Sequence, residues 1–303
     1  KNIMSKTTHT LVLLSALLAG SAAQAHVVLP AGGANVGSNY DAAFRVGHAC
    51  KDAKATTAIE VELPKAFQFK EAVARSGWKL TTPKAGAQGG VVRWEADSAT
   101  TALPGTEKTT FVVRGVLPST AQTLHFPVHQ ICDVGRADWA QIPTAANAND
   151  KLEFPAARLD VLPDNVAAID VRDAWVRAAV PGQSGTGAFL TVQAPQGAKL
   201  VAVKSAVAGV VEIHEMKLEN DVMKMRAIPA LELPAGEQVK LAPGGLHLMM
   251  MDLKQPITAG QTLNFTLTLE DANGKRRERQ IEAQVRSGAT AGQDGGHGAH
   301  QHH

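Results

Sequence analysis

Short runs in which apolar and polar residues alternate recur along this chain, and they limit the folds that it can adopt. Examples are Ala58-Ile59-Glu60-Val61-Glu62-Leu63, residues 110–114 and residues 263–269. Alternation with a period of two puts successive side chains on opposite faces of a β-strand. Gly, Pro, Asn and Asp clusters separate the runs, and beyond the N-terminal stretch no long segment has apolar residues at sustained helical spacing. The pattern predicts an all-β protein made of two β-sandwich or β-barrel domains.

The first 25 residues have the pattern of a cleaved export signal. Lys6 precedes an apolar run from Leu11 to Gly20, and small residues follow up to Ala23-Gln24-Ala25. Cleavage there makes His26 the first residue of a protein exported to the periplasm; an uncleaved anchor is the alternative. No later segment approaches eighteen uninterrupted apolar residues, so we expect no stable membrane insertion after cleavage.

The charge balance excludes one class of partner. Loss of residues 1–25 removes Lys1 and Lys6 and no acidic residue, which leaves 28 basic and 28 acidic side chains. A formally neutral chain has no electrostatic reason to bind nucleic acid or an anionic membrane surface.

Two cysteines are present, Cys50 and Cys132. In an oxidising compartment an even pair favours a disulfide over two free thiols. The alternative is metal binding, but two cysteines this far apart match no zinc-site spacing.

The domain boundary is expected near residues 162–165, where a strand-like stretch ends at Leu162-Pro163-Asp164-Asn165. The predicted domains are residues 26–162 and 168–286. Residues 287–303 contain little that could be buried, so a disordered tail is expected there. Its histidines form a candidate secondary metal site: His297, His300, His302 and His303.

The second domain contains histidines and methionines in the pattern H-x10-M-x21-H-x-M, formed by His214, Met225, His247 and Met249. Thioether sulfur is a soft, uncharged ligand that suits Cu(I), and imidazole adds affinity without charge. On a strand, His247 and Met249 share one face. The same periodicity leaves three other thioethers open as alternatives: Met216, Met223 and Met251.

Residues 168–284 resemble the PCuAC family of periplasmic copper chaperones. The resemblance includes the four-residue motif and stretches such as Asp173-Ala174-Trp175-Val176-Arg177 and Gly187-Ala188-Phe189. It implies a cupredoxin-like β-barrel that binds Cu(I) through the motif residues. It also implies delivery of copper to the binuclear centre of a haem-copper oxidase, with an oxidase subunit or assembly factor as the acceptor.

An N-terminal histidine can bind Cu(II) through its α-amino nitrogen and ring Nδ1 together. The succession of His26-Val27-Val28-Leu29-Pro30, Gly37–Val46, Cys50, Trp78, Trp94, Cys132 and Trp139 resembles the YcnI-like family of exported copper-binding domains. That resemblance implies a Cu(II) site in which a carboxylate and a tryptophan complete the N-terminal histidine. Asp41 and Trp139 are the candidates for these two positions.

These features together predict a copper-binding and transfer protein rather than an enzyme. A copper-storage or resistance protein without a dedicated acceptor is one alternative. An oxidative copper enzyme is the other, in which His48, His125 or His129 would join His26. No Ser/His/Asp, Cys/His or phosphate-loop signature points to other catalysis.

Overall fold

The computed structural model describes residues 26–145, 151–219 and 222–287. The predicted signal segment and the histidines of the tail lie outside these ranges. All regular elements within them are β-strands, so the all-β prediction is confirmed. In the described part of the chain, no helix is long and apolar enough to cross a membrane.

The strands surround two separate hydrophobic cores. We call the residues around the core from Val27 to Val161 the first unit, and those around the core from Ala167 to Val285 the second unit. The strands of the first unit are β1 (Ala34–Asn35), β2 (Asn39–Val46), β3 (Ala55–Ala72), β4 (Trp78–Thr81), β5 (Gln88–Ala96), β6 (Leu103–Pro104), β7 (Thr109–Val116), β8 (Gln122–Phe126), β9 (Val128–Cys132), β10 (Arg136–Trp139) and β11 (Ala157–Leu162).

The first unit is built around the long strand β3. It lies in an eight-stranded sheet with the order β10-β9-β3-β5-β4, in which β6 and β7 also pair with β3 and β2 pairs with β7. A three-stranded sheet, β1-β11-β8, completes the unit. The alternating residues Ile59, Val61 and Leu63 of β3 are buried in the core, as expected for a strand with one solvent-facing side.

A disulfide joins Cys50 to Cys132, 82 residues apart in sequence. It ties the loop after β2 to the end of β9. The backbone N–H of Cys50 also donates to the sulfur of Cys132. The disulfide therefore joins two segments that are separated in sequence by most of the first unit.

The second unit is one ten-stranded sheet that curls around its core. Its order is β16-β15-β19-β13-β12-β21-β20-β14-β17, and β18 also pairs with β13. The strands are β12 (Asp170–Arg177), β13 (Gly185–Gln193), β14 (Ala198–Lys204), β15 (Ala208–Glu219), β16 (Val222–Ile228), β17 (Leu231–Leu233), β18 (Gln238–Leu241), β19 (His247–Leu253), β20 (Thr262–Glu270) and β21 (Arg276–Arg286). Strands β15, β16 and β19 carry all four residues of the His/Met motif.

The segment between the units is held from both sides. The side-chain amide of Asn35, in β1, donates to the carbonyl oxygens of Pro163 and Val166 at 2.9 and 2.7 Å. Asp164 forms ion pairs with Lys275 and Arg277 of the second unit. These contacts restrict the movement of the segment between the two units.

The Cys50–Cys132 bond should be a major source of stability for the first unit. The double variant Cys50→Ala/Cys132→Ala should lower its free energy of unfolding by up to about 4 kcal/mol, because the unfolded chain regains the freedom that the closed loop removes. Urea unfolding measures this difference. Reduced wild-type protein should behave like the variant, and equal stability of oxidised and reduced protein would contradict the prediction.

Candidate metal centre

His214 and His247 face each other across neighbouring antiparallel strands. They are directly opposed in the register between β15 and β19, and their ring centroids lie 5.6 Å apart. Both are buried, with 7% and 8% of their surface exposed. The alternation of the strands explains the placement, because the next pair in the register, Ile213 and Leu248, points into the core.

The thioether of Met225 lies against one of these rings. In the hairpin of β15 and β16, Met225 is paired with Met216. This pair is two residues closer to the hairpin turn than the pair of His214 and Ala227. The Sδ atom of Met225 is 3.2 Å from Nε2 of His247, and Nδ1 of His247 is 2.9 Å from the carbonyl oxygen of Gly245. A carbonyl only accepts hydrogen bonds, so Nδ1 carries a proton and Nε2 is the ring nitrogen that faces the sulfur.

Met249 shares the face of His247, two residues further along β19. It stands opposite Glu212 of β15 and Gly187 of β13. A β-carbon added to Gly185 would lie 3.1 Å from the terminal methyl of Met249, so this glycine leaves room for the thioether. Met250 points the other way and is fully buried in the core.

The structure separates Met225 from the other thioethers that periodicity left open. Met225 contacts His247, whereas Met223 stands opposite Leu218. About half of the surface of both methionines is exposed, so only the contact distinguishes them. Met216 is opposite Met225, and Met251 is opposite Val210 and Gly185. The contact with a histidine nitrogen therefore favours Met225 as the ligand on this hairpin.

A carboxylate that was not singled out from the sequence completes the polar surroundings. Oε2 of Glu212 is 2.8 Å from Nε2 of His214, while Nδ1 of His214 is buried without a hydrogen-bond partner. A buried nitrogen left unpaired costs about 1–3 kcal/mol. The period-two spacing from Glu212 to His214 was the signal that could have identified this carboxylate.

Aromatic rings close one side of the centre. Phe189 of β13 lies 6.4 Å from the ring of His247 and packs on Trp175 at 4.5 Å, measured between centroids. Across the described ranges, no three His, Cys, Asp or Glu side chains are grouped so that they could hold a metal ion. The thioether of Met225 is the soft donor that the structure places beside this pair.

In the first unit, His26 and Trp139 are brought together. Their rings meet edge to face with centroids 5.6 Å apart. Nε2 of His26 is buried without a hydrogen-bond partner, and the indole N–H of Trp139 donates to Oε1 of Gln130. His26 also lines a cleft of about 780 Å³ between the two units.

Asp41 is not brought to this pair. It lies on the exposed face of β2 and forms an ion pair with Arg114, which also binds Glu71. Within the described residues, no hydrogen bond or ion pair joins Asp41 to His26 or Trp139. Its shorter side chain and its position on the strand both work against the role that the resemblance implies.

The other histidines of the first unit have different surroundings. His129 is within hydrogen-bond distance of Asp138 through Nδ1 and of Glu62 through Nε2. Burial opposes its positive charge, but the two carboxylates outweigh this effect and raise the pKa of His129. Nδ1 of His48 lies against the carbonyl oxygen of Ala49. Neither arrangement gives a second ligand beside His26.

Comparison with known proteins divides the chain in the same place as the two cores. Residues 26–161 match a family model described as a domain of unknown function, DUF1775, and residues 169–281 match one described as "Putative lipoprotein LpqE-like". A curated relative, "Putative lipoprotein Lxx21020" of Leifsonia xyli subsp. xyli, is 34% identical over 106 residues. The match covers 35% of this chain and 64% of the length of that relative.

Solved structures with a similar chain include two PCuAC domains. "Apo PCuAC domain from PmoF1" is 27% identical, with a TM-score of 0.34 over 40% of this chain and 96% of that chain. "Copper-bound PCuAC domain from PmoF2" is 27% identical, with a TM-score of 0.33 over 40% and 95%. "Solution structure of CuI-DR1885 from Deinococcus Radiodurans" is 26% identical, with a TM-score of 0.31 over 48% and 87%. Scores of this size do not establish a shared fold.

Proposed function

We propose that this chain is an exported copper carrier that holds Cu(I) through His214, Met225, His247 and Met249. The observation that carries the proposal is the contact between His247 and Met225. There, an imidazole nitrogen and a thioether sulfur, the two kinds of donor atom that suit Cu(I), lie 3.2 Å apart.

A metal ion is the atom that fits between these two donors. Imidazole and sulfur ligands at about 2.0 and 2.3 Å from a tetrahedral metal stand roughly 3.5 Å apart. Two imidazoles and two thioethers are all neutral, so the ion would keep its full charge. Neutral, soft donors favour monovalent copper, whereas zinc prefers thiolates, imidazoles and carboxylates.

The position of the centre suits transfer of the ion. Strand β16 is at one edge of the ten-stranded sheet, and half of the surface of Met225 is exposed there. The two histidines are buried beneath it. An incoming acceptor could therefore replace the thioether first, while both imidazoles still hold the copper.

We further propose that the protein acts in the periplasm and that the acceptor is a subunit or assembly factor of a haem-copper oxidase. The lipoprotein name of the curated relative fits a protein of the cell envelope. Copper carried as Cu(I) on exchangeable ligands could supply the binuclear copper centre of such an oxidase.

Met249 and its neighbour Met250 offer a matched test of the Cu(I) site. Met249→Ala should weaken Cu(I) binding at least tenfold, because a soft ligand is lost, and should change Cu(II) binding much less. Met250→Ala should leave Cu(I) affinity nearly unchanged and cost about 2–5 kcal/mol of stability as a core cavity. Competition with a chromophoric Cu(I) chelator measures the affinities. Equal loss of Cu(I) affinity in both variants would contradict the proposed ligand set.

We propose a second copper site at the mature N-terminus. Because Nε2 of His26 is buried, Nδ1 is the ring nitrogen that can join the α-amino nitrogen around Cu(II). Trp139 would pack beside this site. The tail histidines would provide a further Cu(II) site.

The N-terminal site depends on a free amine, so one added residue should abolish it. Protein that begins at His26 should show a Cu(II) electron paramagnetic resonance signal with two nitrogen ligands from this residue. Protein with a single alanine before His26 should lose that signal while Cu(I) binding by the second unit remains. Persistence of the same signal would show that the amine is not a ligand. Both forms should lack residues 287–303, so that the tail histidines do not contribute.

Deletion of the gene tests delivery separately from binding. Under copper limitation, cells without this protein should assemble less of the oxidase copper centre, and added copper should restore it. The measurement is oxidase activity per unit of oxidase protein. Normal assembly at limiting copper would favour storage or resistance over delivery. A copy carrying Met249→Ala should fail to complement the deletion, whereas Met250→Ala should complement it if the protein accumulates.

A further inference from the structure

Glu212 is an acidic side chain that contacts one histidine of the His/Met centre. It precedes His214 by two residues and therefore shares its face of β15, and it stands directly opposite Met249 of β19. Its Oε2 is 2.8 Å from Nε2 of His214. The carboxylate is partly open to solvent, with 42% of its side chain exposed, whereas the side chain of His214 is 9% exposed.

Glu215 provides a contrast on the same strand. It is adjacent to His214 but points to the opposite face, where it forms an ion pair with Arg226. Among the described residues, no lysine or arginine forms an ion pair with Glu212. Glu212 therefore interacts with His214, whereas Glu215 stabilises the β15–β16 hairpin through its ion pair with Arg226.

The contact fixes where the proton of His214 resides. An ionised carboxylate only accepts hydrogen bonds, so Nε2 donates to it and Nδ1 is the nitrogen left to bind a metal. Nδ1 is the atom that is buried without a partner. In His247 the roles are reversed, since Nδ1 donates to the carbonyl of Gly245 and Nε2 faces sulfur.

We infer that Glu212 is a positioning residue for copper: it holds His214 in the Nε2–H form and so presents Nδ1 as the ligand, while His247 presents Nε2. This inference rests on the proposed Cu(I) site. A carboxylate behind a ligating imidazole orients the ring and makes its other nitrogen a better donor. The two histidines then bind one ion through different nitrogens.

Three variants test the role by Cu(I) affinity. Glu212→Ala should weaken Cu(I) binding about 10–100-fold, the usual effect of losing such a partner. Glu212→Gln should lose clearly less, because its amide oxygen can still accept from Nε2. Glu215→Ala, the matched control on the opposite face, should change the affinity less than threefold. Equal affinities of Glu212→Ala and Glu215→Ala would overturn the inference, as would equal losses in the Gln and Ala variants.

A second measurement needs no copper. Nitrogen-15 correlation spectra of the metal-free, full-length protein, taken where imidazole is neutral, report which ring nitrogen carries the proton. Wild type and Glu212→Gln should show His214 protonated at Nε2, and Glu212→Ala should show a mixture. A His214 ring protonated at Nδ1 in the wild type would overturn the inference. If wild type binds no Cu(I), the proposed function fails, but these spectra still decide whether Glu212 fixes the proton.

Discussion

The register between β15 and β19 is the constraint on which the second unit depends. It pairs His214 with His247 on one face and Ile213 with Leu248 on the other, so one set of hydrogen bonds places both the proposed ligands and the core. A slip of one residue would turn the histidines into the core and the apolar pair outward. Core packing therefore keeps both histidines on the same face of the sheet, because a slip that turned them inward would expose the apolar pair.

The centre combines donors of very different mobility. Both imidazoles are buried, and each has one nitrogen engaged by a neighbouring group, Glu212 or the carbonyl of Gly245. Met225 is on an edge strand and is half exposed. The nitrogens thus form the fixed part of the site and one sulfur forms the part that can move. In the proposed carrier, such a division would let the histidines hold the ion while the exposed thioether exchanges.

The sequence predicted features that arise within a single strand better than contacts that depend on how strands pair. Alternation along single strands predicted the all-β class and the common face of His247 and Met249. It could not predict that Met225, rather than Met223, contacts His247, because that contact depends on pairing between strands. Glu212 was missed although its spacing from His214 was visible, since only the folded chain shows where its carboxylate points. Asp41 was chosen by position in sequence, and its partner in the fold is Arg114.

Contacts at the junction between the units limit how a copper ion could pass from one proposed site to the other. Gly32, with a φ of +109°, runs so close to the second unit that a β-carbon there would lie 2.8 Å from the backbone nitrogen of Asp170. Together with the hydrogen bonds from Asn35 to residues 163 and 166, this close approach opposes rotation of one unit relative to the other. An ion bound at His26 would then have to dissociate before the methionines of the second unit could bind it, either directly or after transport by another molecule. Reduction of Cu(II) to Cu(I) by an external reductant could take place during that interval.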